Sequence, residues 1–121
     1  MLGKVPYFAP RAEYSAAKAY LNSWSTSLRL ELRGTGIHVT TVLPGVVATD
    51  FGNRAKYGGP DSRSLPNAQP VEEVATVIAD AIEHPSAEVY TRPEYHKMAA
   101  GYHGAEDVGE VEARFGGTPT R

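Results

Sequence analysis

The sequence predicts an α/β fold of the parallel-sheet kind, in the order helix–strand–helix–strand. Three observations carry that prediction. They are an unbroken apolar-periodic run at 11–33, two short β-branched runs at 37–43 and 88–91, and a helix-start signal at Pro70 between them. The first helix opens after Pro10, where a missing N–H costs nothing. No Gly or Pro interrupts 11–33, and Tyr20, Leu21, Trp24, Leu28 and Leu32 recur at helical spacing. Arg29 and Arg33 fall in its last turn, where cations suit the helix dipole, and Gly34 and Gly36 end it. The strand IHVTTVL at 37–43 is closed by Pro44-Gly45. From Val46 to Gln69 the chain is loop-like, with Gly-Gly-Pro at 58–60; a loop of that length usually carries function or moves. Pro70 opens the second helix, 70–84, with Glu72 and Glu73 in its first turn. Its apolar stripe is Val71, Val74, Ala75, Ile78, Ala81 and Ile82, and Pro85 stops it. EVYT at 88–91 is the second strand, and 92–121 reads as a tail, weakly helical from about 106 to 115 or disordered.

Two parallel strands are too few to stand alone, because such strands are normally flanked by neighbours and covered on both faces. The strand at 37–43 presents an open edge. The chain therefore reads as part of a domain. Its 121 residues hold one small domain at most. A net charge of −2 without a basic run gives no electrostatic reason to expect nucleic acid. The absence of cysteine excludes disulfides, thiolate metal sites and cysteine nucleophiles. MLGKVPYFAP has no signal-like apolar core, and no apolar stretch of about 18 residues occurs, so the expectation is a soluble, cytoplasmic protein without a membrane partner.

Tyr14 and Lys18, in EYSAAKAY, stand four positions apart and so share one face of the first helix. A free phenol keeps its proton at neutral pH. A neighbouring ammonium favours the phenolate, and such a tyrosine can exchange a proton with a substrate oxygen. The pair taken alone is common in helices and is as well explained by two side chains on a surface. The motif LPGVVATDF at 43–51 gives it a context. There Pro44, Gly45, Val47 and Thr49 bring backbone polar groups and a hydroxyl to the carboxyl end of a strand, where open α/β sheets bind ligands.

Together, YSAAK at 14–18, the helix, IHVTTVL and PGVVAT at 44–49 resemble the classical short-chain dehydrogenases/reductases, NAD(P)-dependent oxidoreductases on a Rossmann fold. GKVPYFAPRAEYSAAKAYL is similar to the family's segment joining the catalytic serine's strand to the tyrosine helix. The resemblance covers roughly 3–91 and implies the C-terminal portion of a doubly wound parallel sheet. By it, Tyr14 would be the general acid/base acting on a small carbonyl or alcohol substrate. Lys18 would favour the ionised tyrosine and bond the nicotinamide ribose. Pro44 and Gly45 would wall the nicotinamide, the Val47 backbone would meet its carboxamide, and Thr49 would bond the amide or diphosphate. Residues 50–69 would form a substrate lid, and the first helix, through Trp24 and Leu28, a homo-oligomer interface.

The sequence also departs from that family. No glycine-rich phosphate loop stands between a strand and a helix, and the residue choosing NAD or NADP is absent with it. Counting back about a dozen residues from Tyr14 to the catalytic serine reaches Met1 or the position before it. A methionine cannot polarise a carbonyl. The expectation is a catalytic half lacking the dinucleotide-binding half and inactive by itself; the alternative is a non-catalytic remnant serving dimerisation. His96 and His103 with Glu94 and Glu106 match no common ligand spacing, so no metal is expected.

Overall fold

Residues 12–31 contain no helix breaker, and in the computed structural model they form α1 (Ala12–Glu31), which ends two residues before the periodicity predicts. β1 (Thr41–Leu43), α2 (Phe51–Arg54), α3 (Val71–Glu83), β2 (Glu88–Tyr90), α4 (Pro93–His103) and α5 (Val108–Phe115) follow, with a 3₁₀ turn at Ser62–Ser64. The structure describes residues 3–5, 12–55 and 59–115. The expectations for position 1, for the start of the first helix, for the lid at 56–58 and for the tail end at 116–121 fall outside the described residues.

β1 and β2 pair in parallel, with Thr41 opposite Glu88, Val42 opposite Val89 and Leu43 opposite Tyr90. The helix α3 makes the crossover that a parallel pair requires. The paired part of the first strand is shorter than the 37–43 run because Ile37 to Thr40 lie outside the ladder. Those residues are held by other means: Arg29 donates to the carbonyls of Val39 and Ala87 at 2.9 Å each, and the Thr40 hydroxyl donates to Ser86 O at 2.7 Å. One guanidinium thus ties α1 to the chain entering both strands. Gly34 and Gly36 leave α1 with φ of 83° and 81°, a backbone region that favours glycine.

The first helix does not bury its apolar residues. Tyr20, Leu21, Trp24 and Leu30 are exposed, while Ser15 is buried and Asn22, Ser25 and Arg29 are half-buried. On α3, Val74 and Ala81 are buried, but Val71, Ile78 and Ile82 of the expected stripe face solvent. The chain exposes 8721 Å², where a compact protein of its 13.0 kDa exposes about 6300 Å².

The segment beyond β2 holds two helices: α5 falls within the 106–115 stretch read as weakly helical, and α4 is the one the sequence reading did not place. Pro93 occupies the first turn of α4, as its missing N–H allows. Ala99 of α4 shares a small core with fully buried Val5, ringed by Tyr90, Tyr95, Met98 and Tyr102. The Tyr102 hydroxyl donates to Glu112 at 2.6 Å and fastens α5. The sequence signal for α4 is weak because few of its residues are apolar, and its burial depends on Val5 arriving from the other end of the chain.

α4 is anchored to α3 by a forked ion pair. Arg92 Nε meets Glu73 Oε1 at 2.7 Å and Nη2 meets Oε2 at 2.9 Å. The hydrogen bonds from Arg92, and then from Gln69, hold the Glu73 carboxyl down at about 2, against an ordinary 4.5. A carboxyl lowered in the folded state stabilises above its unfolded value and loses that contribution as pH falls through the folded value. We expect Glu73→Gln to destabilise the protein most above pH 4.5. The gap in urea midpoint between the two proteins should then close as pH falls toward 2. A gap that stays constant over that window would contradict the ion pair.

Candidate active site

Tyr14 and Lys18 lie one turn apart on α1, and their side chains meet: Lys18 Nζ stands over the Tyr14 ring, 5.4 Å from its centroid. That is cation–π range. Both residues are exposed, Tyr14 at 37%. Gly3 crosses the same turn. A Cβ added to Gly3 would come within 2.5 Å of Lys18 C and 2.7 Å of Lys18 O, so only a glycine lets residues 3–5 lie against the backbone of the lysine. Val5, two residues on, then reaches the core under α4.

The second half of the site is the Pro-Gly turn that follows β1, and Gln69 shapes it. Gln69 is fully buried. Its backbone N–H donates to Val46 O at 2.8 Å and its carbonyl accepts from Ala48 N–H at 2.9 Å, a single parallel bridge centred on Val47. Its side-chain Oε1 accepts from Gly45 N–H at 3.1 Å and from the Thr91 hydroxyl at 2.7 Å, while Nε2 donates to Glu73 Oε1 at 2.8 Å. The amide orientation is fixed by its neighbours, since a backbone N–H can only donate and a carboxylate can only accept. The other face of Gly45 is closed by α4. A Cβ there would overlap the Tyr95 hydroxyl and ring, so a side chain at position 45 would have to displace Tyr95.

Because Val46 and Ala48 make the bridge, the N–H and C=O of Val47 point away from Gln69. The Val47 carbonyl accepts from Thr49 N–H at 2.8 Å, and no described residue accepts from the Val47 N–H. The Thr49 hydroxyl receives a long 3.4 Å bond from Phe51 N–H, which leaves its own proton to donate. Val47 N–H, Thr49 Oγ1 and the Lys18 ammonium are therefore groups of the kind that could hold a nicotinamide and its ribose. Further along, Asp61 caps the 3₁₀ turn, and the Arg63 side chain bonded to it holds its carboxyl well below the ordinary range.

The residues singled out from the sequence fall into two groups, Tyr14 with Lys18 and the turn from Pro44 to Thr49. No hydrogen bond or ring contact between described residues joins the dyad to Gly45, Val47 or Thr49. Ser15 is buried rather than facing the dyad's solvent side. His96 and His103 meet rings, Tyr90 and Tyr102 respectively, with centroids 5.2 Å apart in each case. Gln69, Thr91, Glu73 and Arg92 went unseen from sequence. A lone Gln in a polar loop reads as solvated, and the one local sign is its place just before the Pro-led helix.

A family model described as short chain dehydrogenase matches residues 1–57. An uncharacterized oxidoreductase of Myxococcus xanthus is 50% identical over 43 residues, 36% of this chain and 17% of its own length. Short-chain dehydrogenase RED1 of Pyricularia oryzae is 33% identical over 81 residues, 67% of this chain and 28% of its own. The NADP-dependent 3-hydroxy acid dehydrogenase YdfG of Escherichia coli is 36% identical over 63 residues, covering 51% and 25%. The chain thus spans 17% to 28% of the length of these curated relatives. No solved structure matches it. The family match takes in the whole of α1 and the Pro-Gly turn, and with a relative that carries the same name it leads to one conclusion: the chain belongs to the short-chain dehydrogenase family.

Proposed function

We propose that this chain supplies the proton-transfer and nicotinamide-facing residues of an NAD(P)-dependent oxidoreductase acting on a small carbonyl or alcohol. The observation that carries the reading is the Lys18 ammonium over the Tyr14 ring, on the helix that the family match spans. When bound, the nicotinamide supplies or accepts the hydride. In the reducing direction, the Tyr14 hydroxyl gives its proton to the substrate oxygen as the carbonyl carbon gains the hydride, and the product is the alcohol. Lys18 stabilises the phenolate that remains and bonds the ribose. The Val47 N–H donates to the carboxamide, Pro44 and Gly45 form the wall beside the ring, and the Thr49 hydroxyl bonds the amide or diphosphate. Residues 50–69 close over the substrate. Exposed Tyr20, Leu21 and Trp24 on α1 support association between copies through that helix. The choice between NAD and NADP stays open, although one relative bears an NADP-dependent name.

Tight cofactor binding also needs contacts to the diphosphate and adenosine, and no glycine-rich turn in this sequence offers them. We therefore expect the 121-residue chain alone to bind NADH and NADPH more weakly than millimolar, as read by fluorescence titration. Submillimolar affinity would refute that expectation. Joined to the glycine-rich N-terminal part of a short-chain dehydrogenase, the chain should reduce carbonyl compounds with NADH or NADPH. In that protein Tyr14→Phe should lower kcat by about 10²- to 10⁴-fold with little change in cofactor Kd. Lys18→Ala should weaken both. Turnover that survives Tyr14→Phe would refute the acid/base role.

A further inference from the structure

Gln69 is a neutral residue with no place in the chemistry above, yet it is fully buried and every polar group it has is engaged. Those bonds reach three separate parts of the chain: the Pro-Gly turn at Gly45, the end of β2 at Thr91, and the first turn of α3 at Glu73. Glu73 is held in turn by Arg92, whose Nη1 also approaches Asn67 O at 3.4 Å. Asn67 takes a left-handed backbone (φ 63°), which turns the chain just before Gln69.

The bond to Gly45 is the one with a functional direction. Gly45 brings backbone freedom to this turn, and its N–H without an acceptor would let the peptide rotate. Fixed by Gln69 on one side and by Tyr95 on the other, the turn passes into the bridge in one register, and that register leaves the Val47 N–H directed away from Gln69 and without an acceptor among the described residues. We propose that Gln69 is a positioning residue that sets the Pro44–Thr49 segment so that the Val47 N–H is presented to the nicotinamide. This rests on the function proposed above and assigns the geometry of its cofactor wall to a residue outside that wall.

The test compares three forms of the chain by amide NMR, with NADH at millimolar concentration as the probe. Gln69→Met keeps the buried volume and removes the acceptor for Gly45. Thr91→Val perturbs the same buried cluster but leaves the Gly45 bond in place. The unmodified chain should show fast-exchange NADH shifts concentrated at 45–49. Thr91→Val should lower thermal stability and keep both those shifts and the slow exchange of the Gly45 amide. Gln69→Met should speed Gly45 exchange and reduce the Val47 shift several-fold. A general structural role would instead make the two variants behave alike, and that result would overturn the inference.

Should Gln69→Met fail to fold, the charge exchange Gln69→Glu with Glu73→Gln keeps the acceptors for Gly45 N–H and the Thr91 hydroxyl and remakes the bond between residues 69 and 73, while Arg92 keeps one of its two bonds to residue 73. It should recover the slow Gly45 exchange and the Val47 response that Gln69→Glu alone loses by setting two carboxylates together. A double variant no better than the single one would overturn the inference equally. In the joined enzyme Gln69→Met should lower kcat on the order of 10- to 100-fold through misplacement of the cofactor wall. An unmodified chain whose NADH shifts fall away from 45–49 would refute the proposed function, and this inference with it. Shifts identical in the unmodified and Gln69→Met chains would refute the positioning role alone.

Discussion

The side chain of Gln69 is the constraint on which the arrangement of this chain depends. A buried primary amide must satisfy its polar atoms or destabilise the fold. Here its partners are a backbone N–H, a hydroxyl and a carboxylate taken from three stretches far apart in sequence. Satisfying them fixes the Pro-Gly turn against β2 and the start of α3. Glu73 extends the network to Arg92 and so to α4, and α4 returns Tyr95 to the far side of Gly45. The loop after β1 is thereby held from both sides even though β1 itself is three residues long.

The helix that carries Tyr14 and Lys18 is fixed differently. Its C-terminal part is tied down by Arg29 through two backbone carbonyls, and its N-terminal part by the passage of Gly3 over Lys18. Between those two attachments its apolar side chains stay in solvent. Tyr14 and Lys18 are thus locally ordered, with the large apolar side chains Tyr20, Leu21 and Trp24 exposed along the same helix. The dyad and the turn are each held by their own contacts.

Much of this was legible in the sequence, and the misses have physical causes. Pro70 with its acidic first turn announces α3, and the unbroken run before Gly34 announces α1, because caps and breakers act locally. Ile37 to Thr40 read as strand from β-branching, yet they do not pair, since propensity describes a surface that suits a sheet and cannot supply a neighbouring strand. The apolar stripe of α1 was visible as periodicity, but periodicity does not say which face turns inward, and Arg29 turns the polar one in. The meeting of the Tyr14 and Lys18 side chains could be read because it depends on a short spacing along one helix. The role of Gln69 could not, because its meaning comes entirely from Gly45, Thr91 and Glu73, which the fold brings to it.

The most direct measurement is the rate of hydrogen exchange at two amides of the unmodified chain. The Gly45 N–H, bonded to the buried Gln69 side chain, should exchange many-fold more slowly than the Val47 N–H, which has no described partner. That order of rates is what a turn locked by Gln69 requires. Equal rates at the two positions, or slower exchange at Val47, would contradict the account.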